Sequence, residues 1–137
     1  MSVAKTASLA AASTIIAATA WAANGIDVKR GADASLFGNC ALSLVVENKS
    51  AQTIDFLQVD IAVALKGGQE RTIELRSAYR EGVLHPIAAG STAILKQQLD
   101  LSPSLGADCG DVTARRVVRT ICEAAGTACA SSVSLQP

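Results

Sequence analysis

Apolar and polar residues alternate along most of this chain, and the alternation has the period of a strand rather than a helix. Cys40, Leu42, Leu44 and Val46 fall on one side, and Ala41, Ser43, Val45 and Glu47 on the other, which is the pattern of a half-buried strand. Asn48-Lys49-Ser50 then supplies a turn. In the next strand Leu57, Val59, Ile61, Val63 and Leu65 alternate with Phe56, Gln58, Asp60, Ala62 and Ala64. Ile54 is out of phase with that apolar set, so a bulge or the strand start is expected near Asp55. Lys66-Gly67-Gly68-Gln69 predicts a hairpin, because glycine reaches positive φ without steric cost. Ile73 and Leu75 alternate with Thr72, Glu74 and Arg76 on the returning strand.

Residues 77–82 break the pattern. Residues 83–87 read as a short edge piece, since Pro86 cannot donate to a ladder. Residues 88–91 form a turn, and residues 92–101 a further strand with Ala93, Leu95, Leu99 and Leu101 on one side. A loop follows over 102–110. Residues 112–122 fit two templates: a helix would gather Val117, Val118 and Ile121, but β-branched residues dominate and no cap is evident, which favours a strand. Residues 130–135 are the last strand. Six or seven strands with no amphipathic helix predict an all-β fold, an antiparallel immunoglobulin-like sandwich. A small barrel has the same local pattern and stays open as an alternative.

The N-terminus reads differently. Residues 1–22 have one cation, Lys5, a weakly apolar stretch over 7–20, and small residues Ala20 and Ala22 around Trp21. That is the layout of a cleaved export signal. The stretch is too rich in Ala, Ser and Thr for a spanning helix, which needs about 20 solidly apolar residues, so no stable membrane anchor is expected after cleavage. Residues 23–35 are polar and aperiodic and are expected to form a flexible arm, with the domain occupying 36–137. The remaining chain, of about 115 residues, suits one modest core. Its aromatics are Phe37, Phe56 and Tyr79, so that core is aliphatic. Losing Lys5 leaves eleven Lys and Arg against twelve Asp and Glu. Near-neutrality and few rings argue against nucleic-acid partners.

Four cysteines in an exported chain imply a disulfide framework. Three pairings exist. Cys122 and Cys129 bracket a short loop with Gly126 and close easily on each other, which leaves Cys40 with Cys109. The chain-entropy relation assigns about 4 kcal/mol to the long link and about 2.5 to the short one. A zinc site wants closer cysteines and more histidine than His85 alone; a thioredoxin-type redox site wants Cys-x-x-Cys; a cuprous site wants methionine, which the mature chain lacks. No metal or other cofactor is expected.

The run Cys40-x-Leu42-x-Leu44-x-Val46-Glu47-Asn48, then Ile54-x-x-Leu57-x-Val59, Cys109-Gly110-Asp111-Val112, Cys122 and Cys129 resembles a group of small, uncharacterised four-cysteine periplasmic proteins of Gram-negative bacteria. The resemblance spans most of residues 40–135. It implies a fold and a periplasmic or secreted location, and it implies no activity. Residues 77–89 and the aromatic-poor core depart from the group's pattern.

No catalytic constellation stands out. His85 precedes Pro86 with no nucleophile elbow in the chain, and Asp108 and Asp111 flank Cys109-Gly110 where Asp shapes turns. Two basic clusters, Arg71, Arg76 and Arg80, and Arg115, Arg116 and Arg119, are the candidate anion or partner patch, since guanidinium binds carboxylate and phosphate bidentately. Arg115 and Arg119 are expected to share a strand face. The function expected is therefore non-enzymatic: a soluble binding or accessory module of the cell envelope with an envelope protein as partner. The rivals are a secreted proteinase inhibitor with residues 24–35 as its inserted element, and a fibre or pilus subunit. Exported protein should have lost residues 1–22, as intact-mass measurement will read directly.

Overall fold

The computed structural model describes residues 25–77, 79–80, 83–97 and 104–136. The expected signal segment and its cleavage point lie outside these residues, as do Leu99 and Leu101. The strands are β1 (Ile26–Arg30), β2 (Ala34–Leu36), β3 (Asn39–Ala41), β4 (Ser43–Asn48), β5 (Phe56–Leu65), β6 (Glu70–Arg76), β7 (Tyr79–Arg80), β8 (Val83–Leu84), β9 (Thr92–Lys96), β10 (Val112–Ala124), β11 (Thr127–Ala128) and β12 (Val133–Gln136). A 3-10 turn, Cys109–Asp111, precedes β10. The fold is thus all-β, with more and shorter strands than the six or seven expected. Residues 112–122 are strand, as their β-branched content indicated.

Eight strands form one sheet in the order β11-β10-β5-β6-β9-β4-β1-β12, and β2-β3 and β7-β8 form two small hairpins. Among the described residues every pairing is antiparallel except β1 with β12. In the middle of the sheet β6 meets β9 at Arg76 and Lys96, so among the described residues one pair joins two four-stranded halves. The ends of the order, β11 and β12, are joined by residues 129–132 alone. A flat sheet would hold its first and eighth strands about 34 Å apart, whereas the chain from Ala128 to Val133 reaches about 18 Å at most. The sheet is therefore curled over on itself.

The curl encloses the core that alternation predicted. Leu44 and Val46 of β4, Leu57, Val59, Ile61 and Val63 of β5, Ile73 and Leu75 of β6 and Leu95 of β9 are buried in one cluster. Cys40, Leu42, Leu44 and Val46 keep a common phase even though the chain breaks at Leu42, where it leaves the β2-β3 hairpin to enter the main sheet. The hairpin at Gly67 and Gly68 has both glycines at positive φ, 96° and 85°. Ile54 forms an isolated bridge with Ile87 just before β5 begins at Phe56.

Residues 23–35 are not a loose arm where the structure describes them. Ile26–Arg30 is β1, held between β4 and β12, with Ile26 and Val28 buried in the core. The segment Ile26-Asp27-Val28-Lys29 does alternate, but it is short and its partners lie far along the chain. Beyond β1, Gly31 donates to the Ser43 carbonyl at 2.9 Å. A Cβ on Gly31 would sit 3.1 Å from that carbonyl carbon, so the close approach requires glycine there.

At the other end of β4, Asn48 ties two loops together. Its Nδ2 donates to the carbonyls of Gln52 at 2.8 Å, Ile87 at 3.0 Å and Ala88 at 3.2 Å. Its Oδ1 accepts from the Ser50 hydroxyl at 2.6 Å and the Ser50 N–H at 3.1 Å. Asn48 is buried, so removing the amide strands several polar groups away from water, each costing about 1–3 kcal/mol. Asn48→Ala should lower unfolding stability by about 2 kcal/mol or more, read as a shift of the urea midpoint in oxidised protein.

Candidate contact surfaces

The disulfides pair as expected, Cys40 with Cys109 and Cys122 with Cys129, with Cα separations of 4.6 and 5.4 Å. The first anchors the β2-β3 hairpin. Cys40 N–H also donates to the Ala107 carbonyl at 2.7 Å, so β3 is fixed to the segment before β10 by a covalent and a hydrogen bond. Ser35 pairs with Cys40 across the hairpin, while Ala34, Ala41 and Leu36 take the opposite phase. That outer side borders a groove of about 230 Å³ lined by Ala34, Leu36, Ala41, Ser43 and Lys96 among others.

The tip of this hairpin is its most unusual part. Phe37 and Gly38 turn the chain with φ of 50° and 76°, the two successive positive values of a type I′ turn. Glycine adopts that geometry freely, but a bulky residue there is an outlier. Phe37 is also fully exposed, and Leu36 beside it is half exposed. One of the domain's three aromatics is thus spent on solvent, in a backbone conformation that disfavours it. This turn was not legible in the sequence, because only one of its two central positions, Gly38, holds a residue that favours positive φ.

The arginines do not form one patch. Arg116 and Arg119 sit on the outer face of β10, opposite Ala62 and Asp60 of β5. Arg116 Nη2 donates to Glu70 Oε1 at 3.1 Å and Arg119 Nε to Asp60 Oδ2 at 2.8 Å. Arg76 is on the same outer face, opposite Gln58, and donates to Glu74 at 2.6 Å. Arg71 has the other phase, opposite Val63, and its guanidinium lies beside Gly106. The backbone of Arg80 is in β7, and its side chain lies outside the described residues.

Arg115 does not share a face with Arg119, contrary to the simple alternation. A register shift between Val117 and Arg119 inserts Val118 as a bulge, and a one-residue insertion reverses every side chain beyond it. Arg115 therefore points inward with Val63 while Arg119 points outward with Asp60. The Arg115 side chain is only 4% exposed and pairs with that of Asp33, 5% exposed, in the segment after β1. The contact is forked: Nη2 meets Oδ2, and Nη1 donates to Oδ1 at 3.3 Å. Asp33 also accepts from the Ser43 N–H at 3.2 Å and from Arg30 at 3.0 Å. Burial by itself would raise the Asp33 carboxyl, but the bonds from Arg115, Ser43 and Arg30 outweigh it and hold the pKa below the usual value. On the far outer face, hydrogen bonds from Lys49 and Lys29 likewise hold down Asp27 and Glu47, which sit directly opposite one another.

His85 is exposed beside Pro86. Asp108 precedes the 3-10 turn and its carbonyl accepts the Asp111 N–H at 2.9 Å, which is turn geometry, and Asp111 lies 3.5 Å from Lys66. Among the described residues no group of three or more His, Cys, Asp or Glu is placed to hold a metal ion, and no helix is long and apolar enough to cross a membrane.

No family model and no curated protein matches the chain. Among solved structures, the structural characterization of IrmA from Escherichia coli matches with a TM-score of 0.51 and 18% identity, covering 81% of this chain and 84% of that one. At that identity the likeness shows a shared fold.

The Asp33–Arg115 pair makes stability depend on pH with a defined sign. A carboxyl with a lowered folded pKa stabilises the fold above its unfolded value, about 3.9, and that contribution is lost as pH falls through the folded pKa. Asp33→Asn leaves Arg115 buried without its counter-charge and should cost about 3–5 kcal/mol at neutral pH. Urea unfolding at pH 7 and at pH 3 should show the gap between wild type and Asp33→Asn narrowing at the lower pH.

Proposed function

We propose that the chain is an exported, non-enzymatic binding or accessory module of the cell envelope, periplasmic or secreted, which engages an envelope protein through the β2-β3 hairpin and its groove. The immunoglobulin-like sandwich is the reading of the curled sheet that goes with this role, since such domains make contacts through end loops and edges. The single observation that carries the proposal is Phe37, fully exposed and at φ 50°. Backbone outliers of this kind cluster at contact sites because other parts of the structure must hold them in place. Here the Cys40–Cys109 bond and the Cys40-to-Ala107 hydrogen bond do the holding. Covering one Phe and one Leu side chain contributes about 1.5–3 kcal/mol each, and rigid anchoring limits the entropy lost on binding.

The inhibitor reading relied on residues 24–35 as a free inserting segment, and Ile26–Arg30 is instead paired on both sides within the sheet. It has no other observation in its favour.

Phe37→Asn separates contact from stability. Asparagine tolerates the left-handed region, so this variant should unfold at or above the wild-type urea midpoint. Partner recovery in pull-downs from native envelope extract should nevertheless fall sharply, and more so with Leu36→Ser. Undiminished recovery with Phe37→Asn would remove the hairpin from the contact.

A further inference from the structure

Among the described residues the outer edge of β10 is open for most of its length. On one side β10 pairs with β5 from Val112 to Glu123; on the other, β11 covers only Glu123 and Ala124. Which backbone groups face outward follows from the ladder. Ser77 N–H donates to the Leu57 carbonyl, and Leu57 N–H to Ser77 Oγ, so the backbone of Leu57 faces β6 and that of Gln58 faces β10. By antiparallel alternation, Ile121 and Arg119 turn their backbone groups to β5, while Cys122 and Thr120 turn theirs outward. The Cys129 N–H bond to the Cys122 carbonyl at 3.0 Å agrees. Past the bulge, Arg116 faces β5, and Arg115 and Val117 face outward. Arg115, Val117 and Thr120 therefore offer backbone donors and acceptors that no described strand takes up.

Charge is sorted across this face. The carboxylates Asp60 and Glu70 stand on β5 and β6, behind their arginines, while Arg116 and Arg119 stand on the edge strand itself, with side chains 63% and 58% exposed. Arg119 commits Nε to Asp60, and Arg116 commits Nη2 to Glu70, which leaves other N–H donors of each guanidinium facing solvent. The bulge at Val118 also changes their spacing. Although three apart in sequence, they oppose Ala62 and Asp60, two apart on β5. A strand added along β10 would therefore bring residues i and i+2 of the newcomer beside Arg116 and Arg119, on the same face.

We propose that β10 accepts an extended acidic peptide by strand addition, with carboxylates two residues apart pairing with Arg116 and Arg119. Main-chain bonds to Arg115, Val117 and Thr120 supply the docking, and the two arginines supply selection. This surface is separate from the hairpin and does not depend on it.

The test is fluorescence anisotropy with two labelled octapeptides, alternating Glu-Val and alternating Lys-Val, against the full oxidised protein. The Glu-Val peptide should bind, more weakly as salt rises, and the Lys-Val peptide should not. Changing Arg116 and Arg119 together to Ser should weaken binding by about tenfold, as expected for losing two exposed ion pairs. Thr120→Pro removes an outward N–H that no described strand uses, a position where an edge strand tolerates proline; it should weaken binding while urea unfolding confirms the fold. Phe37→Asn should leave binding unchanged. On binding, amide exchange at Arg115, Val117 and Thr120 should slow. Absence of Glu-Val binding, equal binding of both peptides, or binding with no slowing at those three amides would each overturn the proposal.

Discussion

Residues 129–132 join β11, at one end of the strand order, to β12, at the other. A link this short forces an eight-stranded sheet to bring its ends together, and the closed core, the buried ion pair and the placement of the hairpin all follow from that closure. Among the described residues the seam between β6 and β9 is the single Arg76–Lys96 pairing, which is where a curled sheet can bend with the loss of few ladder bonds. The two inner faces then supply each other's apolar cover, which a chain so poor in aromatics could not obtain from a flat sheet with one side in water.

Closure also explains why the chain tolerates a charge inside. Asp33 leaves the end of β1 and Arg115 lies near the start of β10, two segments that only the curl brings together. Their forked contact, with Ser43 and Arg30 completing the carboxylate's partners, satisfies most of what burial takes from water. Such a pair adds little net stability over apolar residues of the same shape, but it is costly to break. It therefore favours the one register of β10 in which Arg115 faces inward.

Much of this was legible in the alternation. The inner sets of β4, β5 and β6, the double-glycine hairpin and the Cys122–Cys129 loop are local facts, which periodicity and spacing read well, and the long Cys40–Cys109 link followed by elimination once the short one was closed. The errors came where distant segments decide. Ile26 and Val28 alternate with Asp27 and Lys29, but four residues carry little weight until β4 and β12 flank them. The bulge at Val118 put Arg115 and Arg119 on opposite faces, and nothing in Val117-Val118 marks where the extra residue falls. Asn48 looked like an ordinary turn residue, because its partners at Ile87 and Ala88 lie about forty positions away. Phe37 was hidden for the opposite reason: its turn geometry is local, but its side chain is wrong for it.

The parallel pairing of β12 with β1 gives the fold a direction in time. A chain emerging N-terminus first presents β1 early, and β4 reaches it within some twenty residues, but its other neighbour, β12, comes more than a hundred residues later. The partner of Asp33 comes 82 positions after it, and that of Cys40 comes 69 after. Non-local pairings of this kind are slow to form, because the loop entropy is lost before the contacts reward it. A sheet built this way cannot close until β12 has joined β1, so its final shape is set in whichever compartment receives both strands.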